Sequence, residues 1–435
     1  MCREIYDYFK NKKVLILGFG REGKSTYNYI RKFDKDFPIA IADKNEITVD
    51  DENVTLICGE KYLDAINEYD LVMKSPGISL RDFTVRTGTV VTCQTDLFLK
   101  FAPLKKIGIT GTKGKTTTSN LIYEIVKAAG INACMIGNMG IPVFDSLGEK
   151  NYDVAVIEMS SHQLEYTHTS PDIAVVTNVY PEHLDHYNGF SGYVNAKLNI
   201  LRYQNKNDFF VYNGEQGLDE FIDIEKIPAK RKGVKLSDAE NDKFLTELVS
   251  SNERLLGDHN KIDILYAATV ARFMGISDEA ILKGIQNFGG IEHRMEPVGT
   301  FKGIEFYNDC IATIPQATIF AVKAFGNIST LIVGGMDRGI DYSLLENELV
   351  QNPLDNIICL PDTGHKLADK LNDMGCKSYI FKAKDMEDAV RKAFEVTKSG
   401  RGCILSPAAS SYNVYKNFEY KGRHFKELVS EYGKE

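Results

Sequence analysis

No stretch of this 435-residue chain stays apolar for the roughly 20 residues that a membrane-spanning helix requires. Its start, Met1-Cys2-Arg3-Glu4-Ile5-Tyr6, lacks the apolar core of a signal peptide. Excess positive charge is missing as well: 52 Lys and Arg stand against 60 Asp and Glu, a net charge of −8. With no basic run to offset it, that balance excludes a nucleic-acid binder and a membrane-surface protein. The eight cysteines (positions 2, 58, 93, 134, 310, 359, 376 and 403) form no C-x-x-C pair. That excludes the usual zinc and dithiol motifs and leaves buried thiols in a reducing compartment. Short-period repeats and low-complexity segments are also absent. What remains is an ordinary globular composition, 43% hydrophobic and 26% charged, and the expectation of a soluble cytoplasmic enzyme of several domains.

Strand-like apolar runs alternate with helical patterns throughout, which predicts α/β layers with largely parallel sheets. Three α/β domains are expected, over residues 1–97, 98–294 and 295–435. In the first, the strand Lys13–Leu17 runs into Gly18, Gly20 and Gly23, a G-x-G-x-x-G turn before a helix over Lys24–Lys32. Asp43 closes the next strand, 20 residues after the last of those glycines. Alone this is a weak signal, because dinucleotide binding is only one use of such a turn. Leu71-Val-Met-Lys-Ser-Pro-Gly77 is another strand entering a tight turn at the same expected edge. The third domain shows strands at Gly303–Phe306, Thr330–Gly334, Asn356–Leu360 and Gly402–Ser406, with a glycine-rich loop over 334–339.

The second domain carries the most informative stretch, Gly108-Ile-Thr-Gly-Thr-Lys-Gly-Lys-Thr-Thr-Thr118. It follows an apolar run and opens a helical pattern over Ser119–Ala129. Glycines at 108, 111 and 114 let backbone N–H groups turn toward an anion, Lys115 adds a point charge, and Thr116 or Thr117 offers a hydroxyl to a metal. The strict G-x-x-x-x-G-K-[ST] spacing would place glycine at 109, where this chain has Ile109, so the loop is a variant form. Further on, Glu158 ends the strand Val154–Ile157, where a hard oxygen ligand for magnesium would sit in an open parallel sheet. Glu182 to His186 crowd charged and imidazole groups into five positions. On local sequence alone Lys197, within Tyr193–Ile200, reads as a surface lysine on an amphipathic helix. Arg294 has the planar fork that suits a phosphoryl group.

Taken together, Gly111-Thr-Lys-Gly-Lys-Thr-Thr117, Glu158-Met-Ser-Ser161, Asn178 with His183-Leu-Asp185, Ala196-Lys197, Gly257-Asp-His-Asn260 and His293-Arg294 resemble the Mur ligase family. Those enzymes build the peptide stem of the bacterial cell wall by ATP-driven amide formation. Ser75-Pro-Gly77, Asn138 in Gly137–Gly140, Leu405–Ser411 and Asn417-Phe-Glu-x-x-Gly422 extend the likeness over the whole chain and towards the glutamate-adding branch.

The resemblance implies a Rossmann-like N-terminal domain for the uridine diphosphate of a UDP-sugar, a central P-loop ATPase domain and a Rossmann-like C-terminal domain for glutamate. ATP would phosphorylate the carboxylate of UDP-N-acetylmuramoyl-L-alanine, and glutamate's amine would attack the acyl phosphate. Catalytic roles fall to Lys115, Lys197 and His183. The nucleotide falls to Gly111, Thr112, Lys113, Gly114, Lys115, Thr116, Thr117, Asn260, Arg294 and Asp309, although Asp263 stands where the family often has a second asparagine. Two magnesium ions are implied, with Thr116, Glu158, His183 and Lys197 as ligands. Lys197 matches the family lysine that reacts with CO₂ to give a carbamate. For the UDP-sugar the resemblance points to Gly18, Gly20, Asp43, Ser75, Pro76, Gly77, Asn138 and Ser160, and for glutamate to Thr313, Arg338, Ser411 and Tyr412. It also implies a monomer. Glutamate-adding members usually read Asn-Asp-Ser-Lys-Ala-Thr-Asn-Pro, whereas this chain reads Asn308-Asp-Cys-Ile-Ala-Thr-Ile-Pro315. Ile311 thus replaces a lysine, leaving D-glutamate as the expectation and L-glutamate as the alternative. A folate polyglutamate synthase lacks the N-terminal nucleotide-sugar domain. A non-catalytic Mur-like nucleotide-binding protein fits poorly with Lys115, Glu158, His183 and Lys197 all present, and a nicotinamide-linked dehydrogenase fits poorly with the P-loop.

Overall fold

The computed structural model describes residues 2–137, 142–147, 151–182, 186–255 and 257–434. Two compact units divide after Phe288, and three sheets run through them.

The first unit holds two parallel sheets. Short, largely apolar runs build the first: β1 (Val14–Leu17), β2 (Ile39–Asp43), β3 (Val54–Cys58), β4 (Leu71–Lys74) and β5 (Val90–Thr92). Its order is β3-β2-β1-β4-β5, with every neighbouring pair parallel. The chain moves outward from β1 to β3 and then returns to the other side of β1. The switch point therefore lies between β1 and β4, the crevice where open α/β sheets receive ligands. β1 and β4 are buried at all four positions, the continuous apolar pattern of strands covered on both faces.

The second sheet comprises β6 (Lys105–Thr110), β7 (Ala133–Gly137), β8 (Val154–Glu158), β9 (Ile173–Val176), β10 (Phe209–Asn213) and β11 (Lys230–Val234). Its order, β11-β10-β9-β6-β8-β7, places β6 centrally between β8 and β9, and all pairings are parallel. A large core around Phe98, Ile157, Val176, Leu198 and Phe210 covers one of its faces. The glycine-rich stretch therefore leaves the middle of the sheet, and its helix spans Lys115–Ala128 rather than starting at Ser119. Gly114 in the left-handed region turns the chain directly into the helix, so the threonines 116–118 are helical.

The second unit carries β12 (Glu296–Phe301), β13 (Ile304–Asn308), β14 (Ile328–Val333), β15 (Asn356–Cys359), β16 (Tyr379–Lys382) and β17 (Gly402–Leu405). Their order is β12-β13-β17-β14-β15-β16; β12 pairs antiparallel with β13 and the rest are parallel. Alternate residues feed two cores: Ile332, Ile358 and Leu405 on one face, Leu331, Ile357 and Ile404 on the other. β12 and β16 do not show in the sequence pattern. β12 carries Pro297 and Gly299 at a bulge, and β16 is exposed at both ends.

Candidate functional site

The loop between β6 and its helix is docked onto the end of β9. Thr112 N–H donates to the Asn178 carbonyl at 2.8 Å, and Lys113 N–H donates to the Asn178 side-chain oxygen at 2.8 Å. The Thr177 hydroxyl donates to the Lys113 carbonyl at 2.6 Å. Gly111, at φ +150°, passes so close that a Cβ would fall 1.8 Å from Thr177 Oγ1, so only glycine fits. Gly114, at φ +85°, faces Asp263 Oδ1, 2.6 Å from where a Cβ would stand. Asp263 is buried and accepts from the Thr118 hydroxyl at 3.0 Å, which locks the helix Asp258–Phe273 against the loop's helix. Asn260, one turn earlier on that helix, shares the face of Asp263.

Two lysines converge on one carbonyl. Lys115 Nζ donates to the carbonyls of Gly111 and Thr112, both at 3.0 Å, and Lys197 Nζ donates to the same Gly111 oxygen at 2.7 Å. Lys197 is 2% exposed. The surface-lysine reading is therefore wrong. Its helix, Gly189–Arg202, buries Tyr193, Val194 and Ala196 through Leu201, a nearly enclosed element whose depth local sequence does not reveal. The Tyr193 ring lies 4.7 Å from the Lys197 ammonium, and its hydroxyl meets Thr112 Oγ1 at 3.0 Å. Burial, and then the neighbouring charge of Lys115, push Lys197 down to about 7, against the opposing pull of Glu182 and Glu158.

Glu158 closes β8 and is buried. Thr116 and Thr117 lie in the first turn of the loop's helix, and Lys113 reaches outward to pair with Glu182 at 2.9 Å. Among the described residues no cluster of three or more His, Cys, Asp and Glu forms a metal site; His183 and Asn138 lie outside the described residues. Ser160 caps the short helix Ser161–Leu164 in a reciprocal box with Gln163, so its hydroxyl already has a structural partner.

Six of the residues expected at the sugar nucleotide lie at the ends of β1, β2 and β4 in the first sheet. Gly18 and Gly20 follow β1, with Gly20 capping the helix Arg21–Phe33. Ser75, Pro76 and Gly77 follow β4, and the Ser75 hydroxyl donates to the Gly18 carbonyl at 2.9 Å. Asp43 closes β2, accepting from the backbone N–H of Phe19 at 2.7 Å and of Asn45 at 2.9 Å. Sequence reasoning missed Lys74, a buried ammonium at the end of β4 that pairs with Glu165 at 3.4 Å. The available signal was a lysine closing an otherwise apolar strand.

In the second unit, Thr313, Arg338, Ser411 and Tyr412 come from the segments after β13, β14 and β17, neighbours at the C-terminal edge of the third sheet. A bridge between Met336 and Ser410 ties two of these loops together. Ser411 is buried, while Arg338 and Tyr412 are exposed. Asp309, just past β13, accepts from the Met295 N–H at 3.1 Å and the Ser406 hydroxyl at 2.8 Å. Burial pushes it up to about 6, and its hydrogen bonds and the charge of Arg294 hold it back.

The profile described as Mur ligase middle domain matches residues 109–271. A UDP-N-acetylmuramoylalanine–D-glutamate ligase of Clostridium botulinum (strain 657 / Type Ba4) is 32% identical over 451 aligned positions, covering 98% of each chain. The ligase of the same name from Acetivibrio thermocellus is 32% identical over 97% of each chain. Among solved structures, a MurF ligase from Thermotoga maritima in complex with ADP shares the fold. It has a TM-score of 0.52 at 16% identity, covering 96% of this chain and 95% of that one.

Proposed function

The chain belongs to the Mur ligase family, and from that premise we propose that it joins D-glutamate to UDP-N-acetylmuramoyl-L-alanine using ATP, in peptidoglycan precursor synthesis. The observation that carries the reading is the pair Lys115 and Lys197 on the Gly111 carbonyl, 3.0 and 2.7 Å away, at the loop that leaves the centre of the second sheet.

The loop N–H groups and Lys115 hold the β- and γ-phosphates, and Asn260 faces the adenine. A carboxylate oxygen of the substrate attacks the γ-phosphorus, the bond to ADP breaks, and an acyl phosphate forms. Glutamate's amine then adds to the acyl carbon; the tetrahedral intermediate loses inorganic phosphate and a proton, leaving the amide. Both partners in the first step are anions, so charge neutralisation and alignment are the main contributions of the protein.

Lys197 is suited to carbamate formation. With its amine at about 7, a substantial fraction is neutral at physiological pH, the form whose lone pair adds to CO₂ with loss of a proton. The result exchanges a cation for a carboxylate within electrostatic reach of the buried Glu158, and together with the Thr116 hydroxyl these are hard oxygen donors of the kind that fits magnesium. Magnesium held by Thr116, Glu158, carbamylated Lys197 and His183, two ions in all, would neutralise phosphate charge. Gly18, Gly20, Asp43 and Ser75–Gly77 take the uridine diphosphate, with Asn138 and Ser160 further along the substrate. Thr313, Arg338, Ser411 and Tyr412 take glutamate, and Arg294 and Asp309 serve the nucleotide.

The deciding assay measures phosphate release from ATP with UDP-N-acetylmuramoyl-L-alanine and either D- or L-glutamate. Release only with D-glutamate supports the reading. Release only with L-glutamate replaces the enantiomer, and release that ignores glutamate refutes ligation.

A further inference from the structure

Where β4 ends, the charge of Lys74 has left solvent altogether: its side chain is 1% exposed. The ammonium stands 3.4 and 3.5 Å from the carbonyl oxygens of Ser75 and Pro76 and 3.4 Å from Glu165 Oε2. Glu165 follows the short helix Ser161–Leu164 of the second sheet, and its Oε2 also meets His186 Nε2 at 3.2 Å. The Ser79 hydroxyl closes the circuit, donating to the His186 carbonyl at 3.0 Å. Tyr166 adds its ring face 5.1 Å from the ammonium.

A buried cation held by one carboxylate is sensitive to loss of either partner. Here Lys74 closes β4 of the first sheet, while Glu165 lies just past the helix that follows β8 of the second, within one compact unit. The Ser75–Gly77 turn is thereby fastened through the Ser75 hydroxyl to Gly18, and through Lys74 and Ser79 to Glu165 and His186 in the segments after β8 and β9. Glu22, in the first turn of the helix Arg21–Phe33, also senses Lys74. Burial pushes that carboxyl up to about 7, and the Gln163 hydrogen bond and the Lys74 charge pull it back.

We infer that Lys74, through Glu165, is a positioning residue for the nucleotide-sugar substrate: it fixes the Ser75–Gly77 turn relative to the phosphate loop. This rests on the assignment of that turn to the uridine diphosphate.

Calorimetric titration of the full chain with UDP-N-acetylmuramoyl-L-alanine, and separately with ATP, tests it on wild type, Lys74→Met, Lys74→Arg and Glu165→Gln. Lys74→Met and Glu165→Gln should each weaken the sugar nucleotide about tenfold while ATP binding stays at the wild-type value, and Lys74→Arg should recover most of the loss. Wild-type affinity for the sugar nucleotide in both Lys74→Met and Glu165→Gln would overturn the inference. Equal loss of both ligands in both variants would overturn it too, reducing the pair to a structural tie. If wild type itself fails to bind the sugar nucleotide while binding ATP, the assignment of the turn falls, and the inference with it.

Discussion

The chemistry proposed for Lys197 depends on where its helix puts it. In water a lysine amine is protonated far above neutrality, but here burial and Lys115 bring it to about 7, so a tenfold change in the neutral fraction lies within easy experimental reach. Neutral amine rises from about a tenth at pH 6 to about nine-tenths at pH 8. CO₂-dependent activation should therefore climb across that window, read as initial rate after equilibration with bicarbonate at each pH. Lys197→Ala should lose nearly all activity and regain part of it with added short carboxylates, which restore an anion beside Glu158. Full activity in Lys197→Ala without rescue would remove the residue from the chemistry. The same displacement has a stability sign. Between about 7 and the ordinary lysine value the unfolded chain binds more protons at this site than the folded one, so stability rises with pH there. Below that window the full cost of burying the ammonium is felt. In CO₂-free buffer, Lys197→Met should flatten this slope in urea titrations between pH 7 and 9; an unchanged slope would mean the amine is not displaced.

At the scale of elements, the glycines of the turn after β1 do different work. Gly23 lets the helix Arg21–Phe33 approach β1, since a Cβ there would fall 2.0 Å from the Gly18 carbonyl oxygen; at Gly20 a Cβ would meet nothing within 4 Å. Gly23→Ala should therefore cost about 2–4 kcal/mol, whereas Gly20→Ala should stay within about 1 kcal/mol of wild type, both measured by chemical denaturation. The strands that lead into the three glycine-bearing turns were legible because β1, β4 and β6 are short, largely apolar runs that end at glycine, serine or threonine. The loop chemistry at 111–117 was legible for the same reason. Lys197 and Lys74 were not. Whether a lysine inside an apolar stretch is buried depends on what packs over it, and in both cases that cover comes from residues distant in sequence, Gly111 for one and Glu165 for the other. β12 and β16 escaped because edge strands need only one covered face and tolerate proline and exposed residues.

For the molecule as a whole, the division after Phe288 is a statement about folding. The unit from Gly289 onward has a six-stranded sheet with a core on each face. Phe425, Leu428 and Val429 of the C-terminal helix cover one face along with Val390 and Ala393. Leu345, Leu349, Leu367 and Leu371 cover the other. A domain of this size buries about two-thirds of the surface its unfolded chain exposes, enough to fold without help. A fragment of residues 289–435 should therefore unfold cooperatively in urea, with coincident far-ultraviolet and fluorescence transitions. It should gain no stability from ATP, because the phosphate loop lies in the other unit. Full-length protein should gain about 2.7 kcal/mol at ATP concentrations one hundred times the dissociation constant, and that gain should vanish in Lys115→Ala. A fragment that stays unfolded in buffer would show that its two cores are insufficient alone. A fragment that ATP stabilises would show that Arg294 and Asp309 bind nucleotide without the phosphate loop.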